Sequence, residues 1–266
     1  MLTIGINYEG QGSELSGCIN DSNNILAAAQ STFGNALTLV TQLTDHTSTA
    51  PTRANIIQAL QDTVTAVNTQ GYTHFVFHYS GHGTQVTDVS GDERDQKDEA
   101  IVPVDYDNNG IITDDWLFTN VLAALASHVT MIGIMDCCHS GSVFDLRFMY
   151  DPIGSGPRLR SKSGSRTGSL AASVIMISGC EDHTYSYDAW DAEFQASGAM
   201  TAAFIRATRG TVRKSNGRVV QRRVRPIGEI VAEMRSALRR DGYPQVPQIS
   251  SSVRLTASSL LPAWSL

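Results

Sequence analysis

The amino-acid sequence predicts an α/β protein built on a central, mostly parallel sheet with helices on both faces. Three observations carry this reading. Strand-like and helix-like segments alternate along the chain. Two continuous apolar runs, "VTMIGIM" and "SVIMIS", have the pattern of strands buried on both faces of a parallel sheet. Three strand-like runs end in dense polar clusters, as expected where the carboxyl ends of parallel strands form a ligand-binding edge.

In chain order, Leu2 to Asn7 reads as a short apolar strand. Asp21, a natural helix N-cap, precedes a helix with Ile25, Leu26, Ala29 and Phe33 on one face. Ala36 to Leu43 reads as a second strand. Thr52 caps a helix whose Ile56, Ile57, Leu60, Val64 and Val67 recur at helical spacing. "THFVFHY" is a strand ending in Ser80-Gly81-His82-Gly83. After the acidic loop "DVSGDERDQKDEA", a short strand is expected from Ala100 to Val104. "DNNG" is a turn, and Leu117, Val121, Leu122 and Leu125 mark a further helix. "VTMIGIM" leads into Asp136-Cys137-Cys138-His139-Ser140-Gly141, and "SVIMIS" into Gly179-Cys180-Glu181-Asp182. Met149 to Ala171, rich in Gly, Ser, Arg and Pro, reads as an exposed linker. "TVRKSNGRVVQ" carries Asn216-Gly217 between β-branched residues, a hairpin signal. Ile227, Ile230, Val231, Met234 and Leu238 line a last helix before a strand in "VPQISS".

Composition narrows the function. No apolar run approaches the ~18 residues of a membrane span, and no leader-like segment stands at Met1, so a cytoplasmic setting and no membrane partner are expected. Four cysteines in 266 residues are too few for a disulfide scaffold. The net charge of −6 divides unevenly. Residues 1–145 hold three basic groups against seventeen carboxylates, and the remainder seventeen against nine. An acidic half favours cationic ligands, whether metal ions or basic peptides. The arginines of the basic half are spread over several elements, as on a solvated face. Nucleic-acid binding, centred on the basic stretch Lys214 to Arg225, is therefore the weaker reading.

If the three polar clusters lie side by side, His82 faces the Cys137/Cys138 pair across the sheet edge. A thiolate beside an imidazole is a nucleophile with its own proton donor. Each residue alone has a plain structural reading, since a cysteine ending a buried strand usually packs. The combination, with Cys138 lying 56 positions after His82, matches a caspase-type spacing. Other chemistries fit less well. A redox role for the vicinal cysteines lacks C-x-x-C, and a zinc site from His78, His82, Cys138 and His139 has no familiar ligand spacing. "DYDNNGIITDDW" begins like an EF-hand loop but has Trp116 where a bidentate Glu is required, so it reads as a turn.

"HYSGHG" (His78 to Gly83) and "DCCHSGS" (Asp136 to Ser142) resemble the two active-site signatures of metacaspases, caspase-related cysteine peptidases. "GINYEGQGSELSGCIND", "DEAIVPVDYDNNGIITDDWL", "VIMISGCED" and "YPQVPQIS" extend the likeness from about Thr3 to Ser251, with a short linker similar to type I members. The resemblance implies a caspase-like three-layer sandwich forming one structural domain. Within it, 1–146 would be the large-subunit-like region with the His/Cys dyad, 147–172 a flexible basic linker, and 173–266 the small-subunit-like region. It implies His82 as general base and acid, Cys138 as nucleophile, and backbone N–H groups near Gly83 and Cys138 as the oxyanion hole. Cys137 would then turn into the core. Asp21, Asp136 and Ser80 would line a pocket selecting Arg or Lys, so that basic peptides or proteins are the substrates. Asp98, Asp114, Asp115 and Asp145 would bind an activating Ca²⁺. Arg158, Arg160, Lys162 and Arg166 would be candidates for self-cleavage, and the chain would be a monomer. A catalytically silent caspase-like regulator is the alternative within the same fold.

Overall fold

The computed structural model describes residues 1–87, 97–137, 143–150, 169–179, 198–209, 225–243 and 245–261, and the strand backbones at 158–159, 211–213 and 219–221. Its centre is an eight-stranded sheet. The strands are β1 (Leu2–Gly5), β2 (Thr41–Thr44), β3 (His74–Ser80), β7 (Thr130–Asp136), β8 (Phe148–Tyr150), β9 (Arg158–Leu159), β10 (Ser173–Ser178) and β13 (Gln248–Ser251). They lie in the order β2-β1-β3-β7-β10-β13-β8-β9. The first five run parallel, and the last three join antiparallel.

The sheet alternates side chains between two apolar layers. Phe75, Phe77 and Tyr79 of β3 pack with Leu60 and Val64 of α2 (Arg53–Thr69) and with Leu117 and Val121. The last two belong to α4 (Asp114–Leu117) and the wider turn that continues it to Leu122. Val76, Ile132 and Ile175 face the other layer, made by α1 (Cys18–Phe33), α5 (Ala199–Thr208) and α6 (Ile227–Arg240). This is the predicted α/β sandwich, with helices on both faces.

Several elements differ from the sequence reading. A 3-10 turn at Gly34–Ala36 takes up the start of the expected second strand, which forms only at Thr41–Thr44. A second, three-stranded sheet joins β4 (Gly83–Thr87), β5 (Lys97–Ile101) and β6 (Ile112–Thr113). Here β5 begins three residues before the expected Ala100, so Asp98 and Glu99 are strand residues. Apolar periodicity could not reveal this, because backbone pairing to β4 defines the strand. "DNNG" ends a short helix, α3 (Tyr106–Asn109), rather than forming a bare turn. Within the expected linker, β8 and β9 pair with each other at the sheet edge, and β8 pairs with β13. Thus Arg158 lies in a strand, while Arg160, Lys162 and Arg166 lie outside the described residues. The expected hairpin is present as β11 (Thr211–Arg213) against β12 (Val219–Gln221).

Asp21 is not the cap of α1. The helix starts at Cys18, and the Asn7 side chain, reaching over from the segment after β1, accepts from the Cys18 and Ile19 backbone N–H groups at 3.0 and 3.3 Å. Asn7 thus satisfies two otherwise orphaned helix donors and frees Asp21 for another task. Close approach is possible because Gly5 has no side chain; a Cβ there would sit 2.2 Å from the Cys18 carbonyl oxygen. Asn7→Ala is expected to lower folding stability by about 1 kcal/mol, the usual cost of a lost cap. Urea denaturation checks this, and an unshifted midpoint would refute the capping role.

Candidate active site

The order of strands reverses between β1 and β3: β2 lies on one side of β1, whereas β3 and β7 continue on the other. Such a switch point leaves a crevice at the carboxyl ends of the strands. Asp21 enters it from the first turn of α1, Ser80 from the end of β3, and Asp136 from the end of β7, in register with Ser80. Both carboxylates are buried, Asp21 at 5% exposure and Asp136 at 2%. The Ser80 hydroxyl donates to Asp21 Oδ2 at 2.7 Å. Asp136 Oδ2 accepts the Thr201 backbone N–H at 2.8 Å, and Oδ1 accepts a longer bond of 3.5 Å from the Gln245 amide. All these donors are neutral, and among the described residues no ion pair reaches either carboxylate.

Charge is therefore stored here against its preference. Burial, and then the neighbouring Asp136, push the Asp21 carboxyl up to about 8, only partly offset by Ser80. Burial raises Asp136 as well, against the hydrogen bonds from Thr201 and Gln245. Near neutral pH the pair retains a proton.

His82 follows β3 by two residues and is part-buried. Its Nε2 lies 2.7 Å from the Ser13 carbonyl oxygen, which can only accept, so Nε2 carries the proton and Nδ1 is the basic nitrogen. Burial lowers its pKa, and the Ser13 contact opposes that shift, so the neutral base dominates at pH 7. The Tyr8 ring packs against the imidazole, with centroids 4.6 Å apart. Gly83, the next residue, opens β4. Cys137 directly follows Asp136 and is buried in the same apolar cluster as Tyr8 and Tyr79. Cys138, like His139, lies outside the described residues.

Beside the second sheet, three of the four expected metal-binding aspartates come together. Oxygens of Asp98, Asp114 and Asp115 all lie within 4.8 Å of one another. Asp145, buried and at a positive φ of 47°, is near enough to act on Asp114. Burial first, then Asp145, Glu99 and Asp98, push the Asp114 carboxyl up to about 9. Asp114 and Asp115 are not the caps of α4, because the Thr113 hydroxyl accepts the Trp116 N–H. A group of oxygen ligands so placed fits a hard divalent cation such as Ca²⁺. Among the described residues no other cluster of three such ligands forms.

Sequence reasoning missed Glu99, Thr201, Gln245, Ser13 and the Tyr8/Tyr79 pair. Thr201, Gln245 and Ser13 act here largely through backbone groups or an amide, which no motif spacing advertises. The zinc alternative loses a ligand in His78. Its Nδ1 lies 2.9 Å from the Thr3 hydroxyl and its Nε2 3.2 Å from that of Thr201, and full burial lowers its pKa to about 3.

Residues 1–147 match the family model described as the metacaspase, peptidase C14 domain. The chain belongs to the metacaspase family. Metacaspase-1A of Neurospora crassa is 34% identical over 94% of this chain, which spans 62% of that relative's length. Among solved structures, a Geobacter sulfurreducens protein superposes with a TM-score of 0.60 at 25% identity, covering 99% of this chain and 94% of that one. The Drosophila initiator caspase Dronc gives 0.57 at 11% identity, covering 99% and 82%, a likeness of fold. The metacaspase sheet seen here is thus caspase-like. No helix among the described residues is long and apolar enough to cross a membrane.

The raised Asp21 pKa has a consequence for stability. Between about pH 4 and pH 8 the folded chain keeps a proton that the unfolded chain has lost, so this group's contribution falls as pH rises through that window. Asp21→Asn is expected to be more stable than wild type at pH 8, with the gap closing toward pH 4. Urea midpoints at both pH values test this; a gap that widens on acidification would contradict the buried, proton-retaining state.

Proposed function

We propose that this chain is a cysteine endopeptidase, activated by calcium, that cleaves peptide bonds after arginine or lysine. The observation that carries the reading is the buried Asp21–Asp136 pair, held by neutral donors at the sheet edge beside His82. A cationic side chain entering that crevice relieves the repulsion and displaces the retained proton, whereas an aspartate would add a third negative charge.

In this reading Cys138 supplies the thiolate that attacks the scissile carbonyl carbon. His82 accepts the thiol proton at Nδ1 and delivers it to the leaving amine, giving a thioester that water then hydrolyses. Backbone N–H groups near Gly83 and Cys138 receive the charge that develops on the carbonyl oxygen. Cys137, buried among apolar neighbours, serves packing. Asp98, Asp114, Asp115 and Asp145 would hold the calcium ion, which supplies positive charge to a set of carboxylates that otherwise repel. Self-processing would fall at Arg160, Lys162 or Arg166 before Arg158, whose backbone is paired in β9.

Fluorogenic peptides differing only in the residue before the cut provide the test, assayed with and without calcium. Arg and Lys substrates are expected to turn over and the Asp substrate not. Cys138→Ala should abolish turnover, Cys137→Ala should retain it, and Asp114→Asn should lose the calcium response. Preference for Asp, or activity in Cys138→Ala, would overturn the proposal.

The pH dependence has a definite sign. Because a cation binds the ionised pair, KM for an Arg peptide should fall as pH rises toward 8, by up to roughly tenfold per unit, and then level. A KM that rises over this range would show that the pair is not the cation's binding site.

A further inference from the structure

We infer that Tyr8 and Tyr79 are positioning residues for His82, fixing its backbone through a closed ring of hydrogen bonds with Val102; this rests on His82 being the acid–base group of the proposed peptidase. The ring has four members. The His82 N–H donates to Tyr8 Oη at 3.0 Å, and the Tyr8 hydroxyl donates to the Val102 carbonyl at 2.6 Å. The Val102 N–H donates to Tyr79 Oη at 3.2 Å, and the Tyr79 hydroxyl donates to the His82 carbonyl at 2.7 Å. Every donor and acceptor in the cycle is used in a consistent direction.

The location explains why hydroxyls are needed. The β4–β5 ladder ends at Gly83 opposite Ile101, so the next rung would join His82 to Val102 directly. Only a stretched bond of 3.3 Å, from the Val102 N–H to the His82 carbonyl, survives from that rung. The two tyrosines, whose hydroxyl oxygens lie 3.2 Å apart, are inserted into it. His82 is therefore tied at both its N–H and its carbonyl while standing off from β5.

Two further observations point to the same device. Gly81 has no side chain where a Cβ would meet the Tyr79 hydroxyl at 2.7 Å and the Tyr8 hydroxyl at 3.1 Å, so the glycine of "SGHG" makes room for the ring. Tyr8 adopts a φ of 54°, a left-handed conformation costly for an aromatic residue. That conformation accompanies a ring set against the imidazole and a hydroxyl set under the His82 amide. Both tyrosines are fully buried, and burial holds their hydroxyls well above the ordinary range, so they remain donors throughout the working pH range. With Ser13 orienting the imidazole at Nε2, the histidine is anchored at three points.

A purely structural role would need the aromatic rings but not the oxygens. Tyr8→Phe and Tyr79→Phe separate the two cases. With an Arg peptide in calcium, each is expected to lower kcat by roughly tenfold with KM within about twofold of wild type, since small misplacement of an acid–base group costs rate rather than binding. The acid limb of kcat/KM should move to higher pH as the loosened imidazole gains water. The double variant should lose little more than the worse single one, because one break opens the ring. Wild-type kcat and an unmoved acid limb in Tyr8→Phe would overturn the inference, as would a loss that merely follows the folded fraction measured by circular dichroism. Gly81→Ala disturbs both hydroxyls without touching either tyrosine and should give the same signature if one phenylalanine variant fails to fold. If His82→Ala stays active, the acid–base assignment itself fails, a result distinct from an inert Tyr8→Phe.

Discussion

The site depends on two carboxyl groups, Asp21 and Asp136, being buried side by side with no ion pair reaching them among the described residues. An isolated buried carboxylate is expensive, and two adjacent ones more so. The fold meets that cost with rigid parallel strands, one serine hydroxyl, one helical N–H and a retained proton. The retained proton neutralises one carboxylate and leaves the other charged. In the proposed reading, an entering basic side chain supplies the charge that the protein has left out.

The second sheet repeats the device. Asp98 and Glu99 on β5, Asp114 and Asp115 on α4, and Asp145 after β7 bring carboxylates together from segments distant in sequence. β5 then carries the chain directly from this cluster to Val102, which shares the tyrosine ring with His82. The acidic cluster and the histidine thus belong to one short strand and its hydrogen-bonded neighbours.

Much of this was legible in the residues. The apolar runs located β3, β7 and β10, and these do lie side by side with Ser80 opposite Asp136. Other features were hidden, each for a physical reason. β5 begins among Lys97, Asp98 and Glu99, which no hydrophobic period marks. β8 and β9 lie in a stretch whose composition resembles a linker, yet they add to the sheet through backbone bonds and the burial of Phe148. Asp21 looked like a helix cap because the true cap, Asn7, is eleven residues before the helix start and reaches it only in the fold.

By itself, the sequence determined the alternating α/β sandwich, the three polar strand ends and the acidic character of the first half, because these follow from local periodicity and composition. Local periodicity and composition did not decide that Asp21 would lie beside Asp136, that His82 would be tied to Tyr8 and Tyr79, or that Asp98, Asp114 and Asp115 would share one place; the tertiary structure shows these. Those outcomes depend on which strand ends become neighbours and on hydrogen bonds to backbone atoms, and neither leaves a period or a spacing along the chain.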